Sequence, residues 1–353
     1  MGAQSTPPAD STRAVATAAV QRRRAQSVQM LGFFAVMALL PIFVRNGYYV
    51  HIGVVIGINL ITVIGLNLLI GYAGQVSLGH AAFYGIGAYT SGILTATYGW
   101  SPWFAVIVAL ALTCAVAWLV GKPTLRLKGH YLAMGTLGFG IIVAVLIRQM
   151  SWLTCGSSGL TEIPGISIAG QMLDSETQYF YFVWFFVVVV MVLFANLVDS
   201  RPGRALRALH DSEAASDMLG VDTASYKVHA FVISAAHASL AGTLYAHSSM
   251  RFLSPTPFGF HTSIALLVMV VLGGSGTLWG PALGAISITV IQEVLRPYAD
   301  FDIIVYGLML MVLMILMPGG IARGLQNLAQ WWQGMRERAR ERGRERRPRE
   351  ASP

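Results

Sequence analysis

Long apolar runs separated by short polar stretches set the organisation of this chain. Ten such runs recur, at roughly 31–46, 50–70, 79–97, 103–121, 131–148, 179–198, 227–247, 262–279, 281–296 and 303–318. Each is close to the ~20 residues that an α-helix needs to cross a bilayer. A membrane β-barrel would alternate apolar and polar residues along short strands. Runs such as YFVWFFVVVVMVLFANLV (181–198) are continuous instead. The pattern therefore predicts an all-α, polytopic membrane protein with about ten transmembrane helices, some broken by glycine. The first run follows a polar segment containing QRRRAQ and is not trailed by a small-residue cleavage site, so it reads as a retained helix, not a signal peptide. The expected organisation is a disordered cytoplasmic tail (1–30), a membrane domain (31–320) with a cytoplasmic loop inside it (200–226), and an arginine-rich cytoplasmic tail (321–353).

Composition sharpens this picture. Apolar residues make up 55% of the 353 and charged residues only 11%, against about 25% in soluble domains. Basic residues accumulate in short cytoplasmic loops. Here RRR (22–24), KPTLRLK (122–128), RPGRALR (201–207) and the tail all fall on one side of a ten-span topology. The other side receives Arg45, Arg148, Arg251 and Arg296 at span ends, with Glu162, Asp174, Glu176, Asp300 and Asp302. Both termini are thus expected in the cytoplasm of a bacterial-type inner-membrane protein. The net charge of +8 reflects these cytoplasmic segments, so it is no argument for nucleic acid. The tail RERARERGRERRPRE (336–350) reads either as a solvated helix that reinforces topology or as a contact to anionic lipid or an acidic partner. Cys114 and Cys155 have no metal-ligating company and no expected disulfide.

Two glycine-dense breaks hold most of the candidate chemistry. The first, GYAGQVSLGHAAFYGIGAY (71–89), interrupts the apolar pattern with a glutamine and a histidine, and places Ser77 as an expected N-cap. The second, LGGSGTLWGPALGA (272–285), has the same character. Paired interrupted segments in the two halves of a membrane protein point to a translocation pathway. Gly71, Tyr72, Gly74, Gln75, Ser77, His80, Gly273, Gly274, Ser275 and Gly276 are the candidates, joined by Asn59 and Asn67 on the second span. Tight helix packing explains the same glycines equally well, as the four-residue spacings Gly53/Gly57, Gly276/Gly280 and Gly280/Gly284 indicate. Ser234, His237 and Tyr245 share a stripe on the seventh span, where interhelical hydrogen bonding is the commoner role.

The remaining chemistry is negative. Between the first and last spans every acidic residue falls in a loop except Glu293, one turn from a span end. An intramembrane proton site is therefore not evident. No P-loop, metal-spaced cluster or nucleophile elbow is present, so the chain reads as neither an enzyme nor a cofactor protein. Energy for any active transport must come from another polypeptide. The 200–227 loop offers an entry point. Ala205 to Leu219 reads as one amphipathic helix with Leu206, Leu209 and Met218 apolar, ended by Gly220. It suits either a lipid surface or a groove on a cytoplasmic motor.

Several stretches carry a family resemblance: GLNLLIGYAGQVSLGHAAFYGIGAYTSGIL (65–94), TLRLKGHYLAMGTLGFG (124–140), RPGRALRALHDSEAASDMLGVDTASYKVHAFVISAAHASLAGTLYAH (201–247) and SPTPFGFHTSIALLVMVVLGGSGTLWGPALGA (254–285). With these the chain resembles the membrane subunits of branched-chain amino-acid ABC importers, specifically the second of the two paired permeases. The resemblance implies a sister permease, two ATP-binding subunits and an extracytoplasmic solute-binding protein as partners, in a lipid bilayer. It also implies alternating access driven by the ATPases. The run from Glu213, Ala214 and Ala215 to Gly220 is similar to the importer coupling motif with one extra residue before the glycine, so Arg201, Arg204, Arg207, Asp211, Glu213, Ala214, Ala215 and Gly220 are the implied coupling residues. Three stretches depart from the family: LTCGSSGLTEIPGI (153–166) is less Gly/Asn-rich, LGFGII (137–142) lacks a usual glutamate, and the long arginine-rich tail is not part of the common pattern. A urea or short-amide permease of the same family, and a motor-independent channel or facilitator, stand as the alternatives.

Overall fold

The computed structural model describes residues 29–30, 32–43, 46–168, 170–248 and 251–296, with isolated positions between 304 and 324. The tenth expected span, apart from four of its positions, and nearly all of both tails lie outside the described residues. The chain divides into two compact units, 1–51 and 52–353. The first contains helix α1 (Gly32–Phe43) and the opening turn of α2 (Gly47–Asn67).

The second unit is a helical bundle. After α2 come α3 (His80–Ala96), α4 (Pro102–Thr124), α5 (His130–Gln149), the single turn α6 (Ser151–Thr154), a two-residue ribbon of β1 (Ser167–Ile168) and β2 (Gln171–Met172), and α7 (Glu176–Asp199). Two short helices follow, α8 (Arg201–Asp211) and α9 (Glu213–Met218), and then α10 (Thr223–Ala246), α11 (Phe260–Gly273) and α12 (Gly280–Leu295). Proline stands in the first turn of α4, α8 and α12, where its fixed φ suits the helix and its missing N–H would have had no partner. Among the described residues five helices, Gly47–Tyr72, Pro102–Thr124, His130–Gln149, Glu176–Asp199 and Thr223–Ala246, are long and apolar enough to cross a membrane.

The expected eighth span, 262–279, is corrected. Helix α11 stops at Gly273 because Gly274 takes φ +110, which ends the helical path. Its 14 residues rise only ~21 Å, less than a bilayer core of ~30 Å. It turns back onto the 16-residue α12 as a broken hairpin. A Cβ on Gly284 would meet Met269 O at 1.8 Å, and one on Gly273 would meet Gly280 O at 1.9 Å. Only glycine permits that approach.

At the centre α3 packs on α10 as tightly. A Cβ on Gly242 would lie 2.0 Å from Tyr84 O, and Ser91 Oγ pairs with His247 Nε2 at 2.7 Å across the seam. Helix α2 packs on α7 through Gly53 against Phe180 and Gly57 against Val183. Helices α4 and α5 leave Trp118, Leu119, Met134 and Ile142 exposed, as lipid-facing or partner-facing helices do.

The loops of the second unit sort into two ends. At one, Gly74 lies against His210, Lys128 reaches Glu213 at 3.8 Å and Gly71 touches Gly276. At the other, Leu160 and Leu253 exchange backbone hydrogen bonds, the Trp103 indole donates to Ser167 O at 3.0 Å, and Arg251 pairs with Asp174 at 2.5 Å. Loops assigned to opposite faces by the basic-residue pattern do not mix at these contacts.

Candidate functional site

The two glycine breaks, 200 residues apart in sequence, meet in space. Past Asn67 the α2 helix widens into a π-helical turn, Leu68–Tyr72, closed by Ala73 N donating to Leu68 O at 3.1 Å. Widening aims Gly71 at the second break. A Cβ there would lie 2.1 Å from Gly276 N and 2.6 Å from Asn67 Oδ1. The buried Asn67 amide uses both ends: Oδ1 accepts from Gly276 N at 2.9 Å and Nδ2 donates to Thr277 O at 3.0 Å. Thr277 then donates to Gly274 O at 2.8 Å and accepts from Gly280 N, the first N–H of α12, at 3.0 Å. Non-helical backbone in a membrane must be satisfied by protein, and Asn67 with Thr277 satisfies it here. One turn pair further along, Asn59 Nδ2 donates to Thr289 Oγ1 at 3.0 Å.

Of the pathway candidates, Asn67, Gly71, Gly273, Gly274 and Gly276 are gathered at this junction, with Asn59 bracing it and Ser275 half-buried on its turn. Tyr72 is buried edge-on against Phe194 at 5.6 Å. Gly74, at φ +67, is exposed, and Gln75 folds back to donate to Ala73 O at 3.2 Å. Ser77 is not the N-cap expected of it: α3 opens after Gly79 with no side-chain cap. Its hydroxyl is instead 3.2 Å from His80 Nδ1, while His80 Nε2 meets Ser234 Oγ at 2.6 Å. His80 is buried between the rings of Phe83 and Phe231. It ties α3 to α10. His237 likewise spends Nδ1 on Ile233 O at 2.7 Å.

The segment after α7 is built differently from its sequence pattern. The single helix expected from Ala205 to Leu219 is two helices, because Ser212 is extended (φ −160, ψ 111) and its hydroxyl caps Ala215 N at 3.3 Å. Serine competes for the backbone in this way at helix starts. Helix α8 is seated by Leu206, Leu209 and Gly203, whose Cβ position lies 2.3 Å from Leu197 O. Arg204 and Arg207 donate to Asp199 O at 3.1 Å and Val198 O at 2.9 Å, covering the open carbonyls that end α7. Arg201, Asp211, Ala214, Ala215 and Gly220 are exposed. Gly220, at φ +80, turns the chain into Asp222, which caps α10 through Ser225 N at 3.1 Å and Ser225 Oγ at 2.6 Å. Those two donors hold the Asp222 carboxyl below its ordinary pKa.

Met218 does not share the buried face with Leu206 and Leu209. It is 88% exposed, and Leu219 beside it 82%, an apolar tip at the end of a well-anchored segment. Glu213, expected among residues facing a motor, points back to Lys227 on α10 at 2.7 Å. Among the described residues no three His, Cys, Asp or Glu side chains are grouped to hold a metal ion.

A family model described as "Branched-chain amino acid transport system / permease component" matches residues 48–318. This chain belongs to that permease family. The permease is 33% identical over 319 residues to the high-affinity branched-chain amino acid transport system permease protein LivM of Salmonella typhimurium, covering 84% of this chain and 75% of that one. It is 25% identical over 273 residues to LivH of Escherichia coli, a permease protein of the same named system, covering 71% and 86%. The autoinducer 2 import system permease protein LsrC of Yersinia enterocolitica is 26% identical over 296 residues, covering 78% and 76%. No solved structure matches. All these relatives are named as transport permeases, so the permease is a transport protein and not an enzyme. Two features of its site escaped the sequence reading. Lys227 was counted as the first residue of a span, although a lone lysine at that position asks for a carboxylate. Thr277 was passed over inside its glycine-rich run.

Proposed function

We propose that this permease is the membrane subunit of an ATP-driven ABC importer for branched-chain or related small amino acids. The observation that carries the reading is the α8–α9 segment: it is fastened to α7 and α10 by backbone and ionic contacts, yet presents Met218 and Leu219 to solvent. A segment rigid at its root and apolar at its tip suits docking onto a partner that moves. Two ATP-binding subunits would meet it in the cytoplasm, a sister permease would complete the membrane unit, and an extracytoplasmic binding protein would deliver solute. ATP-driven movement would enter through α8–α9 and part or close the helices around the glycine junction. The relatives' names favour a branched-chain amino acid, and the autoinducer 2 relative marks other small solutes as within reach of the architecture.

The orientation behind this reading has its own test. With Cys114 and Cys155 replaced, a cysteine at Ser175 should react with an impermeant maleimide on whole spheroplasts, and one at Ala214 only after the membrane is opened. Reaction of both from the same side would overturn the orientation read from the basic residues and remove α8–α9 from the cytoplasm.

A further inference from the structure

Lys227 is a buried cation, and among the described residues its one close counter-ion is Glu213. Lys227 lies in the second turn of α10, 3% exposed as a residue, and its Nζ is 2.7 Å from Glu213 Oε1. Glu213 is the first residue of α9 and carries a second, looser partner, Lys128 Nζ at 3.8 Å from Oε2, on the α4–α5 connection. Lys128 is 77% exposed, and such an exposed pair contributes little. Lys227 is different, because a buried ammonium without its carboxylate is strongly unfavourable.

We propose that the Glu213–Lys227 pair is the mechanical link between the docking segment and the transport helices, with Glu213 acting as a positioning residue inside this chain and not as a contact to the ATPase. The inference rests on the importer reading above. Contacts at either end of α10 give the link its meaning. Below the pair, Thr223 Oγ1 donates to Asp217 Oδ1 at 2.6 Å, so the base of α10 and the end of α9 are fastened a second time. Above it, α10 carries Ser234, bonded to His80, and Gly242, wedged on Tyr84 of α3. A push on Met218 and Leu219 is thereby delivered to α10 through Glu213, and α10 is joined to α3 by contacts too close to slide. Helix α8 is fastened to the last carbonyls of α7 through Arg204 and Arg207 and also packs against α10, and the break at Ser212 makes α9 a separate element that meets α10 through its own side-chain bonds.

Charge reversal tests this in the full reconstituted complex of permease pair, ATP-binding subunits and binding protein, read as solute imported per ATP hydrolysed. Glu213→Lys and Lys227→Glu, made singly, should each lower that ratio by at least about tenfold while the ATP-binding subunits still co-purify. The double variant, with the charges exchanged, should recover most of the ratio, since exposed Lys128 can swing away. A double variant no better than the worse single, or singles with the wild-type ratio, would overturn the link. Should a reversal fail to insert, Glu213→Gln and Lys227→Met are judged by the same ratio: uncoupling supports the link and a wild-type ratio overturns it. Wild-type complex that never couples ATP hydrolysis to import would instead overturn the importer reading, and the link with it.

Discussion

Gly71→Leu is expected to abolish solute uptake, whereas Gly74→Ala, three residues on, should keep most of it. At Gly71 the nearest atoms to an added Cβ are backbone, Gly276 N at 2.1 Å and Gly276 Cα at 2.7 Å, with Asn67 Oδ1 at 2.6 Å. Backbone cannot step aside unless α2 parts from the α11–α12 hairpin. Overpacking costs ~1–3 kcal/mol, and leaving the Gly276 N–H and Asn67 amide unpaired adds ~1–3 kcal/mol more. At Gly74 the nearest atom is His210 Nδ1 at 3.0 Å on an exposed ring, and the left-handed φ of +67 is the main cost, about 1–2 kcal/mol. Thermal unfolding in detergent and uptake in vesicles would be measured together. Equal behaviour of the two variants would show that the junction is not the tight contact described.

The second large effect is expected at the tip of α9. Met218→Asp with Leu219→Asp places two charges on side chains already 88% and 82% exposed, so folding and membrane insertion should be unchanged within about 0.5 kcal/mol. If this tip fills an apolar pocket on the ATP-binding subunit, two buried carboxylates there are prohibitive, and association should fall by at least about a hundredfold. Co-purification of the ATP-binding subunit is the readout. Wild-type recovery of that subunit by the double variant would place the docking contact elsewhere.

Much of the fold was legible because its signal is local and strong. A run such as 181–198 states its own length and solvent, and α7 appears over it. What was not legible depends on contacts between distant residues. Asn67 and Gly276 are 209 positions apart, and nothing near either one says that the asparagine serves the other's backbone. The glycine breaks were visible as breaks, with pathway and packing both open. That Asn67, Gly71 and Gly276 pack on one another where the breaks meet was not visible. The end of α11 was misplaced because Leu278 and Trp279 continue the apolar pattern past a dihedral that only glycine 274 reveals. The split at Ser212 had a local signal, a capping residue in mid-pattern, which the amphipathic period masked. The family motif places Glu213 with the motor, and the pairing of its carboxylate with Lys227 of α10 depends on a residue fourteen positions away that the motif does not include.

The most direct test of the central claim is import by the reconstituted complex when ATP is replaced by a non-hydrolysable analogue. Vesicles would carry the permease pair with its ATP-binding subunits inside and saturated binding protein outside, and radiolabelled leucine or another branched-chain amino acid would be followed. Accumulation against a gradient is expected with ATP and none with the analogue. Uptake that continues to equilibrium with the analogue would contradict it, and would make this chain a facilitator that needs no motor.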